Sequence, residues 1–201
     1  MIAIITGDII NSESHPSSEW IESLKNYFNR FGPTPMQWEI YRGDEFQLKV
    51  TSESALLSAI QIKALLKSVK GLDVRMGIGI GLETYIGTGV SESNGSAHQR
   101  SGRKFESLKE SKVNLSIATG NESYDLILNL MLRLALDFMD SWSVVSAEIV
   151  LLVLDNPEAS QKEIAKQLGI KQSAVSQRIK RARLDLVLDL LAYYKHIIRE
   201  V

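Results

Sequence analysis

The stretch Gln37-Trp38-Glu39-Ile40-Tyr41-Arg42-Gly43-Asp44-Glu45-Phe46-Gln47-Leu48-Lys49-Val50-Thr51 decides the fold class. Gln37 to Tyr41 and Phe46 to Thr51 alternate apolar and polar side chains, and the four residues between them carry a glycine and three charges. That is the pattern of a β-hairpin with one buried face. In its second arm Phe46, Leu48 and Val50 share one face, while Gln47 and Lys49 share the other. A helical pattern flanks the hairpin on each side. Upstream, Glu19 to Phe31 sets Trp20, Leu24, Tyr27, Phe28 and Phe31 at helical spacing, and Gly32-Pro33 stops it. Downstream, an amphipathic helix opens at Ser52 and Ala55, runs to Lys70 and closes at Gly71. Beyond the helices stand two strands, Ile2 to Thr6 ending at Gly7-Asp8, and Asp73 to Leu82. The order is β-α-β-β-α-β. This predicts an α/β (α+β) chain built on a ferredoxin-like antiparallel sheet, with its helices on one face.

The outer strand is unusual. Val74, Met76, Ile78 and Ile80 fall on one side, and Arg75, Gly77, Gly79 and Gly81 on the other. Three glycines on one face mean close approach, either by a packed helix or by a ligand. After it come a Gly/Ser/Asn-rich loop over Thr84 to Ser96, a basic helical segment over Ala97 to Ser111 and a short strand over Asn114 to Ala118. A helix is then predicted over Glu122 to Ser141, with Leu126, Leu130, Leu134 and Phe138 on one stripe.

The last third reads differently. Glu148 to Leu154 is an apolar helix ended by Asp155-Asn156-Pro157, and Ser160-Gln161-Lys162-Glu163 has the spacing of a capping box. Ile164, Ala165 and Leu168 form the inner face of the helix it starts, Gly169 ends that helix and Ile170 plugs the turn. The next helix turns Ala174, Val175 and Ile179 inward. It presents Lys171, Gln172, Ser173, Ser176, Gln177, Lys180 and Arg181 outward. Short polar and amide side chains reach base edges and cations take phosphates, so this set is expected to bind double-stranded DNA in the major groove. The pattern continues through Leu184, Val187, Leu188, Leu191, Tyr194 and Ile198, a stripe that reads as a homodimer seam or a dock onto the 122–141 helix. Three parts are therefore expected: residues 1–120, a connecting helix over 121–141, and an all-α helix-turn-helix domain over 142–201.

Composition bounds the function. The 201 residues are 44% apolar and 23% charged, with net charge −1, so neither a disordered nor a collagen-like chain is at hand. No Cys is present, which excludes disulfides, thiolate nucleophiles and Cys-ligated zinc, and fits a reducing cytoplasm. The longest apolar runs are interrupted by polar residues, so no membrane span is predicted. Charge is uneven: Lys171, Arg178, Lys180, Arg181 and Arg183 fall within thirteen residues that contain no acid.

Strand order carries a chemical consequence. In the order 4-1-3-2 the end of the first strand lies beside the hairpin turn, which brings Asp8 to Asp44 and Glu45. Neighbouring carboxylates repel unless a proton or a cation neutralises them. Oxygen ligands of this kind, with nucleotide phosphates completing the shell, suit Mg²⁺.

Thr6-Gly7-Asp8-Ile9-Ile10-Asn11-Ser12, Arg42-Gly43-Asp44-Glu45-Phe46 and Val74-Arg75-Met76-Gly77-Ile78-Gly79 resemble the palm domains of class III nucleotidyl cyclases and GGDEF diguanylate cyclases. The resemblance implies that Asp8, Asp44 and Glu45 hold metal, with the Ile9 carbonyl assisting, and that Gly43 admits the phosphates. It also makes Arg42, Arg100 and Arg103 candidates for nucleotide contact. Two departures stand out. Arg42 occupies the place of the first Gly of GGDEF, and the Asn-x-x-x-Arg pair of the cyclases has only Gln99 with Arg103, or Ser96 with Arg100, to match it. Losing such groups costs catalysis more than binding.

Ile164-Ala165-x-x-Leu168-Gly169-Ile170-x-x-x-Ala174-Val175-Ser176 resembles the helix-turn-helix of bacterial regulators and sigma-factor-like domains. The chain as a whole is similar to the SatD family, whose members open on I-T-G-D-I-x-N-S and contain a W-E-x-x-R-G-D hairpin. The expected function is a DNA-binding transcriptional regulator whose degenerate cyclase-like part senses a nucleotide with Mg²⁺. The alternative is an active nucleotidyl cyclase, or another phosphoryl-transfer enzyme, localised by its helix-turn-helix.

Overall fold

Residues 1–200 are described in a computed structural model of the chain. Strand β1 (Ile2–Ile10) runs at the middle of a five-stranded sheet. Helix α1 (Ile21–Phe28) leads to the hairpin of β2 (Trp38–Tyr41) and β3 (Glu45–Thr51). Helix α2 (Ala55–Lys67), β4 (Asp73–Gly81), α3 (Ser96–Ser111) and β5 (Leu115–Ala118) follow. Then come α4 (Glu122–Met139), α5 (Val144–Asp155), α6 (Gln161–Leu168), α7 (Gln172–Ala182) and α8 (Leu184–Ile198).

The sheet order is β2-β3-β1-β4-β5. Its first four strands stand in the order read from the sequence, each antiparallel to its neighbours. β5 adds a parallel edge to β4, so the sheet is mixed rather than wholly antiparallel. The expectation of helices on one face also needs correction: α1 and α2 cover one face and α3 the other. The glycine row explains why. A Cβ on Gly77 would come within 2.7 Å of the Ser101 carbonyl oxygen, and one on Gly79 would collide with the backbone of Ala97 and Ser101. The bare strand surface lets the α3 backbone settle on it, and Thr6 donates to the Ser101 hydroxyl at 3.1 Å across the same contact.

Two further corrections, to α2 and α8, and the placement of the α4 stripe concern helices. α2 is buried all round rather than amphipathic: every residue but Leu57, Leu65 and Lys67 is buried, because the sheet lies on one side and α5 on the other. α4 turns Leu128, Leu132, Ala135, Leu136 and Met139 inward, while the stripe of Leu126, Leu130 and Leu134 faces out. The helix expected to continue from α7 to Ile198 breaks at Arg183, which takes a left-handed φ of +51°. Its guanidinium stands 5.9 Å from the centre of the Phe138 ring. The apolar stripe of α8 docks within the chain against α4 and α2, with Leu184, Val187, Leu191, Tyr194 and Ile198 buried, while Leu188 of the expected stripe is 47% exposed.

The core is continuous from β1 to α8 and does not part at residue 120 or 141. Polar ties reinforce it. The fully buried Lys63 ammonium lies 2.6 Å from both Asp73 and Asp140, which links α2, β4 and the end of α4. Asp155 at the end of α5 accepts from Gln61 at 2.7 Å and pairs with both terminal nitrogens of Arg30. Trp142 donates to the Ala182 carbonyl at 2.9 Å, pinning the end of α7. Among the described residues no helix is long and apolar enough to cross a membrane.

Candidate functional site

β1 does not stop at Asp8 but continues through the β-branched Ile9 and Ile10, so Asp8 is a mid-strand residue. Its register partners are Glu45 on β3 and Arg75 on β4. The three side chains therefore share one sheet face, since paired residues point the same way. Gln47 lies two residues along β3 from Glu45, on that same face. Asp44 sits in the turn, where its carbonyl accepts from Ile9 N–H at 3.2 Å and its carboxylate accepts from the Ser12 hydroxyl at 2.6 Å. The expected convergence of Asp8, Asp44 and Glu45 at one edge is thus present in the backbone.

Arg75 changes the chemistry. Its Nε lies 3.3 Å from Oδ1 of Asp8, yet it is aligned too poorly to donate, and both atoms are buried without a hydrogen-bond partner. The side-chain carbonyl of Gln47 is buried and unpartnered as well. Burial pushes the Asp8 carboxyl above its ordinary range. Arg75 and then Lys109 oppose that rise, while Asp44 and Glu45 add to it. Lys109 projects from the end of α3, its ammonium 5.4 Å from the Phe105 ring centre. Asp8 therefore feels two cations, Arg75 and Lys109, as well as its two neighbouring acids. Oxygen donors suit Mg²⁺ in kind, but the present arrangement fits that ion incompletely. Asp8 is engaged with Arg75 and Asp44 with Ser12, and no group of three or more His, Cys, Asp or Glu is gathered for a metal among the described residues.

The other candidates disperse. Arg42 is exposed with φ +53° and lies 3.9 Å from Glu45, while Gly43 at φ +93° has open space where a Cβ would be. Arg100 is not at this edge. It donates to the carbonyls of Ile80 and Thr119 at the far end of β4, and Arg103 points into solvent. Ser96 accepts from Leu82 N–H, and Gln99 reaches Asn94. None of these four joins the acids. Arg75 is a site residue that its place in the strand pattern does not single out. The available signal was one charged residue alternating with glycines.

The second candidate surface lies on α6 and α7. Ser160 accepts from Glu163 N–H at 3.3 Å and Glu163 accepts from Ser160 N–H at 2.8 Å, closing a capping box. Gly169 takes φ +64°, and Ile170 N–H returns to the Ala165 carbonyl at 3.0 Å. These bonds satisfy helix-end groups and fix the angle of the turn. Val175 is buried, with Ala174 and Ile179 partly so, whereas Lys171, Gln172, Ser173, Ser176, Gln177, Lys180 and Arg181 are all exposed. Gln172 donates to Gln161 at 3.0 Å, tying the two helices at the open end.

Residues 1–194 match the SatD family. The chain belongs to the SatD family. The match runs from β1 into α8, so the sheet edge and the α6–α7 pair both lie within the family's span. No curated protein and no solved structure matches the chain.

Proposed function

We propose that this SatD family member is a DNA-binding regulator that reads the major groove with α7. The observation that carries the proposal is the division of α7: Val175 is buried in the core, while seven polar, amide and cationic residues from the cap Lys171 to Arg181 are exposed, with Gln172 donating to Gln161. Support also comes from rigidity. The capping box fixes the start of α6, the left-handed Gly169 sets the turn into α7, and the Trp142 bond to Ala182 pins the end of α7. A preset helix loses little entropy on binding.

Selection from a randomised duplex pool is expected to enrich one sequence. Gln177→Ala should then cost about 1–3 kcal/mol of discrimination at a contacted base. Lys180→Ala should weaken all sequences alike and flatten the salt dependence. A pool that never enriches would overturn the assignment.

The sheet edge is the sensing half of the proposal, resembling a palm that has kept its acids and lost its catalytic pair. Its orphaned groups on Asp8, Arg75 and Gln47 are suited to a polar ligand, because buried unmet donors and acceptors are uncommon. Calorimetric titration with nucleoside triphosphates, with and without Mg²⁺, should give heat with the wild type that Asp8→Asn loses. Heat only with Mg²⁺ would require the ion to draw Asp8 away from Arg75. No heat under any condition would remove the sensing half. Formation of a cyclic nucleotide would establish the enzyme alternative instead.

A further inference from the structure

Helix α4 is apolar on both sides, and only one side is used. Leu126, Leu130 and Leu134 recur at every fourth position and are 74%, 59% and 68% exposed, with Ile127 beside them at 43%. Single exposed leucines are ordinary, but a continuous stripe over three turns marks an interaction surface. Alongside it runs a groove of about 1000 Å³ between α3, β5 and α4, with Leu108, Val113 and Leu115 among its walls. The stripe is therefore a ridge with a partly apolar valley beside it. That relief suits another helix laid along α4.

We infer that this face is where a second copy of the chain packs, α4 against α4 in antiparallel fashion about a two-fold axis near Leu130. The charges on the ridge select this occupant. Besides the leucines the outward face carries Arg133 and Asp137 near its C-terminal end, and Glu122 and Asp125 stand in its first turn. Antiparallel pairing about Leu130 sets Leu126 against the partner's Leu134. It also brings the partner's Arg133 alongside Glu122, whereas Asp125 is turned aside and already accepts from the Thr119 N–H and hydroxyl at 2.7 Å. Asp137 then lies opposite the N-terminus of the facing helix, whose partial positive charge favours it. A parallel arrangement would place Arg133 against its own copy. An anionic membrane is a poor fit, because such surfaces attract helices flanked by Lys and Arg, whereas this ridge carries Glu122 and Asp137 with one Arg. The face is self-complementary, as an isologous interface must be.

This inference does not depend on DNA binding, and its test does not use DNA. Sedimentation of the full-length chain across the micromolar range is expected to give a dimer. Leu130→Glu should shift it to monomer, raising the dissociation constant by at least about tenfold. Its far-ultraviolet circular dichroism should be retained, because Leu130 is largely exposed within the single chain, while its melting should lose the concentration dependence that a dimer confers. Arg133→Glu should weaken the dimer, and adding Glu122→Arg should restore it, an outcome that general surface damage would not produce. A wild type that stays monomeric at every concentration would overturn the inference. So would a dimer that survives both Leu130→Glu and Leu134→Glu, or a monomer that co-sediments with anionic vesicles.

Discussion

A methyl group at Gly79 has nowhere to go. It would meet the backbone of Ala97 and Ser101, and a helix axis cannot yield as a flexible side-chain tip can. Gly79→Ala is expected to destabilise the protein by about 3 kcal/mol, as overpacking at a rigid contact does, measured by urea unfolding. His98 makes a second prediction at this scale. Burial holds its imidazole below the ordinary value of 6.5, although Glu83 at 3.2 Å pulls the other way. The unfolded chain then binds a proton more readily than the native one. The stability that the neutral ring contributes is complete above 6.5 and is lost as the pH falls below it toward the depressed native value. Unfolding midpoints should therefore drop on acidification through that window, and His98→Gln should flatten the fall.

At the scale of elements, α6 depends on its first turn. Ser160→Ala removes the hydroxyl that accepts from Glu163 N–H and should cost about 1 kcal/mol in the unfolding free energy. Some elements were plain in the sequence because their chemistry was local. The hairpin declared itself by alternation around Arg42-Gly43, and α6 by Ser160, Glu163 and Gly169. Others were not, for physical reasons. α2 and α4 are apolar on more than one side, so periodicity cannot say which side meets the core. The break at Arg183 uses a left-handed arginine, where no glycine or proline gives warning. Gly7-Asp8 reads as a strand end, yet β1 continues because β4 pairs with Ile9 and Ile10 and the turn carbonyl of Asp44 accepts from Ile9 N–H. The acids at the sheet edge followed from strand order, whereas their cationic partner Arg75 did not, because pairing register is decided in three dimensions.

For the whole molecule, a continuous core implies that the sheet and the helices melt together. Far-ultraviolet circular dichroism and tryptophan fluorescence should trace one coincident transition in urea, since Trp20 and Trp38 report the sheet side and Trp142 the junction with α7. Two resolved transitions would mean that the parts expected at 1–120 and 142–201 are thermodynamically independent after all. Lys63 contributes to the coupling. Lys63→Ala would leave a cavity where the buried stem lay and leave Asp73 to Lys67 and Asp140 to Asn114, and a loss of about 2–3 kcal/mol is expected in the same experiment.

Because α2 is enclosed by the sheet below and α5 above, its sequence is answerable to two sets of neighbours at once. Few substitutions along Leu56, Ile60 and Ile62 can satisfy both, so these positions should drift slowly over evolutionary time. The helical half is expected not to be portable. Grafted onto another scaffold, α5 would arrive without the wall it was shaped against, and gene fusion or exon-like shuffling would have to carry the sheet along with it.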